Sequence, residues 1–123
     1  MQVANLDHAE AFTTLDGSEI RELAGRVSLP AVNQSLAEAT LAPGGATVEH
    51  FHRASEELYL FTSGRGRMRV DGDERDVRPG DCVVIPPGAR HRVANTGTEP
   101  LRLLCCCAPA YRDDDTVLCG DAP

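Results

Sequence analysis

No stretch of this 123-residue chain approaches the roughly 20 consecutive apolar residues that a bilayer-spanning helix requires. The N-terminus carries neither a basic n-region nor an apolar h-region, so no export signal is expected and the cytosol is the expected compartment. Positive charge is scarce too: 12 Lys and Arg against 19 Asp and Glu leave a formal net charge of −7. That balance argues against nucleic acid and against an anionic membrane surface as partners. There is no P-loop, no Gly-rich dinucleotide loop and no nucleophile elbow to compete with a different reading, and there is no Ser-His-Asp hydrolase case to make. The five cysteines (Cys82, Cys105, Cys106, Cys107, Cys119) contain no C-x-x-C pair, are odd in number and include three contiguous positions. A disulfide framework, a zinc knuckle and a thioredoxin-type motif are all disfavoured, and buried free thiols are expected. No segment has to form a long helix, and there is no internal repeat or low-complexity tract. One soluble domain is the expectation.

What is present is a succession of short strand patterns cut by Gly and Pro. Asn33 to Leu41 reads as a strand closed by Pro43-Gly44-Gly45; Thr47 to His52 and Glu57 to Thr62 follow, the latter ended by Ser63-Gly64. Arg65 to Val70 alternates three arginines against Gly66, Met68 and Val70, a half-buried pattern whose arginine row faces solvent. Asp71-Gly72 predicts a hairpin with Glu74 to Val77. Cys82 to Ile85 reads as a short buried strand, then His91 to Ala94, then Leu101 to Cys107 as the last. Such punctuation predicts an all-β sandwich or barrel. Residues 1–32 mix charge and small side chains and read as an N-terminal arm packing on the barrel or exchanging with a second subunit, with a short helix or extended segment near Ser18 to Leu23. Residues 33–108 hold the barrel, and 109–123 form a C-terminal extension on the surface.

The chemistry concentrates at His50-Phe51-His52 and Glu57. A strand has a side-chain period of two, so His50 and His52 share one face and Phe51 takes the other. Glu57 follows after room for a turn, at the head of Leu58-Tyr59-Leu60-Phe61. Two imidazoles and a carboxylate from neighbouring strands suit a divalent first-row metal, and His91 is the natural fourth donor. Strand parity places Val48 inward with His50 and His52, and Tyr59 and Phe61 inward with Glu57. Tyr59 is thus a candidate catalytic hydrogen-bond donor or acid; as a core tyrosine it would only place its hydroxyl at the barrel mouth. On the last strand Leu101, Leu103, Cys105 and Cys107 face inward. Gln34 and Glu38 share one face and Asn33 and Ser35 the other, with the inward face open. His8 reads as a surface histidine.

These residues stand in a fuller pattern. Gly44, five residues, His50-x-His52, four residues, Glu57, six residues and Gly64 are followed, after 15 residues, by Gly80, five residues, Pro86-x-Gly88, two residues, His91, three residues and Asn95. The double pattern resembles the two signature motifs of the cupin family, in its compact microbial single-domain form. The resemblance implies a double-stranded β-helix, or jelly-roll barrel. It also implies one divalent transition metal (Fe, Mn, Ni, Cu or Zn) on His50, His52, Glu57 and His91. Cupins include dioxygenases and decarboxylases as well as isomerases, epimerases, lyases and polyketide cyclases, so the implied function is metal-dependent chemistry on a small organic substrate. A non-catalytic module that binds or senses a small ligand is the alternative. Small cupins also pair as homodimers, often through the outer sheet and an exchanged N-terminal strand.

Overall fold

The computed structural model describes residues 1–120. Of the expected C-terminal extension, residues 121–123 lie outside the described residues. The chain forms β1 (Phe12–Thr13), β2 (Glu19–Gly25), β3 (Leu29–Pro30), β4 (Ser35–Leu41), β5 (His50–His52) and β6 (Glu56–Ser63). Then come β7 (Gly66–Val70), β8 (Asp73–Val77), β9 (Cys82–Ile85), β10 (His91–Asn95), β11 (Leu101–Ala108) and β12 (Thr116–Leu118). The larger sheet runs β1-β2-β4-β11-β6-β9 with β3 beside β2; the smaller runs β12-β5-β10-β7-β8. The architecture is a jelly-roll of two facing sheets. Among the described residues no helix is long and apolar enough to cross a membrane.

Alternation sets the core. Along β6, Glu57, Tyr59 and Phe61 are buried while Glu56, Leu58, Leu60 and Thr62 are exposed. On its partner β11 the register places Leu103 opposite Phe61, Cys105 opposite Tyr59 and Cys107 opposite Glu57. Phe61, Ile85, Val93, Leu101 and Leu103 are almost wholly removed from water. Each such side chain contributes roughly 1.5–3 kcal/mol of transfer free energy. Turns fix the registers. Asp71 and Gly72 both adopt positive φ (48° and 84°), the two-residue hairpin geometry whose twist matches β7 and β8. Gly64 has φ of 87°, and a Cβ there would stand 2.5 Å from the Pro100 carbonyl oxygen, so neither the conformation nor the space admits a side chain. Asn95 donates to the Leu41 and Glu99 carbonyls and accepts from the Gly97 amide, tying the β10–β11 turn to β4.

Near Ser18 to Leu23 the extended alternative holds: Glu19–Gly25 form a full strand paired with β4. The structure departs from the sequence reading in three places. The strand expected from Thr47 is regular only from His50: Val48 turns away, and its carbonyl instead receives the His50 ring, while Thr47 is the buried residue. β9 is an edge strand, and Cys82 and Val84 are exposed because they lie on its outward face, beside the exposed Leu60 and Leu58 of β6. The tail folds back: β12 pairs with β5 in register, Thr116 opposite His52. β1, β2 and β3 of the N-terminal arm thus extend the larger sheet, and β12 of the C-terminal extension joins the smaller one.

Candidate metal centre

Three strands deliver the four expected donors to one point. His50 and His52 project from β5, and β10 brings His91 directly opposite His50, with ring centroids 4.2 Å apart. Glu57 reaches in from β6 on the facing sheet. One donor atom from each of the four side chains lies within 4.8 Å of every other, and all four residues are buried.

The outer hydrogen bonds fix how the rings present themselves. His50 Nδ1 lies 2.7 Å from the Val48 carbonyl oxygen and His91 Nδ1 lies 2.9 Å from that of Ala89. A carbonyl only accepts, so both rings carry their hydrogen on Nδ1. The Thr116 hydroxyl donates to the Arg112 carbonyl at 3.0 Å, leaving its oxygen free to accept from His52 Nδ1 at 3.0 Å. All three Nε2 lone pairs are thereby turned toward the common point, the arrangement that metal-binding imidazoles use.

Without a cation this arrangement is unfavourable. Glu57 Oε1 stands 3.2 Å from His52 Nε2 and 3.3 Å from His91 Nε2, yet neither nitrogen holds a hydrogen in that tautomer. His91 Nε2 is buried with no hydrogen-bond partner. A divalent ion shared by the three nitrogens and the carboxylate satisfies every one of these atoms, and a 3-His-1-carboxylate set matches borderline first-row ions. In the metal-free site, burial works to raise the Glu57 pKa, but His52 and His91, when they take a proton on Nε2, outweigh it and hold the carboxyl well below the usual carboxylate range. Burial, reinforced by His91, lowers the pKa of His50, which favours the neutral ring. The residues fit a metal ion.

His50, His52 and Glu57 line a cavity of about 60 Å³, space for a few waters or a small ligand group. Tyr59 lines it, its ring edge-on to His91 with centroids 5.9 Å apart. Burial, then the nearby Glu57, pushes its pKa well up, so the phenol stays a donor. Cys105 and Cys107 line it from β11, and Cys107 Sγ lies 3.1 Å from Glu57 Oε2. Burial, then Glu57, also raises this thiol's pKa, so it remains protonated and donates. On β4 the inward face is that of Ser35, Ala37, Ala39 and Leu41, with Gln34 and Glu38 off the cavity. His8 is exposed. In the arginine row, Arg67 pairs with Asp76 at 3.0 Å and Arg69 with Glu49 at 3.3 Å, on the outside.

Three residues of the site escaped sequence reasoning. Asp16, from the β1–β2 turn, places Oδ2 3.6 Å from His50 Nε2. Thr116 orients His52, and Tyr111 sets its ring edge-on to His52 at 5.8 Å. Asp16-Gly17 is a turn dipeptide that could have flagged a hairpin; nothing local marks Tyr111 or Thr116.

Comparison with known proteins accords with this geometry. Residues 37–107 match the Cupin domain family. The chain is 43% identical over 112 residues to an uncharacterised protein of Methanocaldococcus jannaschii, spanning 91% of this chain and 90% of that one. It is 32% identical over 88 residues to the polyketide synthase CurC of Streptomyces cyaneus, covering 72% of this chain but 57% of that protein. In three dimensions it superposes on the Streptomyces nucleoside dehydratase Pac13 with a TM-score of 0.80 at 17% identity, over 100% of this chain and 93% of that one. A metal-type donor cluster between the sheets of a jelly-roll, carried by a sequence that matches the domain from β4 to β11, places this chain in the cupin family.

Proposed function

We propose that this protein is a metal-dependent enzyme that acts on a small oxygenated organic substrate, by isomerase, lyase or cyclase chemistry. The observation that carries the reading is the convergence of three correctly tautomerised Nε2 atoms and the Glu57 carboxylate beside a cavity that His50, His52 and Glu57 line. His50, His52, Glu57 and His91 hold the ion, which when bound supplies Lewis acidity toward a substrate oxygen. Tyr59 offers a hydrogen bond to that oxygen as charge develops on it. The apolar walls, among them Ala39, Leu41, Val93 and Leu103, keep the substrate out of bulk water and strengthen these interactions. The similarity to CurC supports a substrate rich in ketone or hydroxyl groups.

The test uses protein reconstituted separately with Fe, Mn, Ni, Cu and Zn. Small hydroxyketones are incubated with it in D2O, with NMR and an oxygen electrode as readouts. Metal-dependent deuterium uptake beside the carbonyl, without oxygen consumption, is the expected result. Substrate-dependent oxygen uptake would make it a dioxygenase, and binding without turnover would make it a ligand-binding module.

We also propose that two copies pair through the outer face of the larger sheet. There Leu36, Cys106, Leu58 and Val84 form a row across β4, β11, β6 and β9, and Leu36, Leu58 and Val84 are exposed. A contiguous apolar row of this kind is characteristic of an interaction face.

A further inference from the structure

Asp16 is bound on one side only. Its Oδ1 accepts from the Thr14 hydroxyl at 2.8 Å, the Ser18 amide at 2.9 Å and the Ser18 hydroxyl at 2.6 Å. These three bonds lock the carboxyl plane. Oδ2 has no hydrogen-bond donor among the described residues and points into the cavity beside His50 Nε2. Asp16 therefore stands next to the donor set rather than in it, on the wall of the cavity that His50, His52 and Glu57 also line.

The rest of the lining sharpens the point. It contains three carboxyl groups, Asp16, Glu22 and Glu57, and neither Lys nor Arg. The arginines are elsewhere: Arg21, Arg67, Arg69 and Arg112 are engaged with carboxylates outside the cavity. A divalent ion with one carboxylate and three neutral imidazoles carries one net positive charge, and Asp16 offsets it. An anionic substrate would have only the ion to meet its charge and would face Asp16 across the cavity. A neutral molecule with a hydroxyl beside its metal-facing oxygen would instead find an acceptor already in place.

We propose that Asp16 determines specificity at this centre: its free oxygen accepts a hydroxyl hydrogen from a neutral, metal-chelating hydroxycarbonyl substrate and repels carboxylate analogues. This rests on the metal-centre reading above, and the experiment separates the two.

Zinc is first titrated calorimetrically into metal-free wild type, Asp16→Asn and Glu22→Gln. Absence of zinc binding by the wild type would remove the metal reading itself. Glycolate and glycolamide, which share shape and donor atoms but differ by one charge, are then titrated into each zinc-loaded protein. The ratio of glycolate to glycolamide affinity is expected to rise at least tenfold in Asp16→Asn and to change less than threefold in Glu22→Gln, with zinc affinity held within threefold in both. Comparing ratios cancels the intrinsic preference of zinc for the anion. Asparagine keeps the Oδ1 acceptor for Ser18; should thermal melting show that this variant does not fold, Asp16→Ser reads the same ratio. An unchanged ratio would overturn the proposal, as would an equal shift in Glu22→Gln. A hundredfold loss of zinc affinity in Asp16→Asn would also overturn it, by making Asp16 a ligand.

Discussion

Cys107 and Glu57 sit opposite each other on paired strands β11 and β6, and the thiol donates to Glu57 Oε2 across 3.1 Å. That bond leaves Oε1 as the oxygen aimed at the histidines. Hydrogen bonds of this kind orient a ligand, and their loss costs about 10–100-fold in metal affinity. Cys107→Val, which keeps the volume and removes the donor, should therefore weaken metal binding about tenfold or more. Cys107→Ser, which keeps a donor, should stay near wild type. Competition with a chromophoric chelator measures both, and equal affinities for Val and Ser would contradict the role.

Thr116 does the same for His52 from the C-terminal segment. With its own hydrogen given to Arg112, its oxygen can only accept. Thr116→Val should release the His52 tautomer, seen as a change in the 15N shifts of that ring, and lower metal affinity about tenfold. An unchanged ring spectrum would show that Thr116 is only a packing residue.

Acid should destabilise the metal-free protein in two stages. The folded pKa of His50 lies below 6.5, so under acid the unfolded chain takes up a proton that the folded one resists. Stability therefore falls as pH drops through about 6.5. Glu57 has a folded pKa below its unfolded value, so its contribution is present above about 4.5 and is lost as pH falls below that. Thermal midpoints of apo protein should decline from pH 7.5 to 5.5, and more steeply below 4.5. His50→Asn should flatten the first decline; an equal slope in that variant would assign it elsewhere.

The strand punctuation made most of the fold legible, because Gly, Pro and Asp-Gly signals mark turns locally and β7 alternates with period two. His50 and His52 could be placed on one face because side chains alternate along any strand, and Glu57 at the head of a short apolar run. Asp16, Tyr111 and Thr116 were not legible. Their segments are short and carry no period, and their contacts with the histidines span 34 to 64 positions of sequence. The irregular chain before His50 also defeated parity: Val48 supplies a carbonyl where counting by two expected a side chain.

The apolar row on the larger sheet makes a prediction about mass. Leu58→Arg, at the middle of the row, should convert a dimer measured by light scattering into a monomer while leaving the melting temperature nearly unchanged, since Leu58 faces away from the core. A wild type that already scatters as one chain at micromolar concentration would dismiss the dimer.

The most direct measurement is metal stoichiometry on untagged protein, by elemental analysis and titration, for wild type and for the double substitution of His50 and His91 to alanine. The wild type should bind one divalent transition-metal ion per chain, and the variant, folded by circular dichroism, should bind less than about a tenth of that. A wild type that takes up no ion from Fe, Mn, Ni, Cu or Zn, or a variant that still holds a full equivalent, would contradict it.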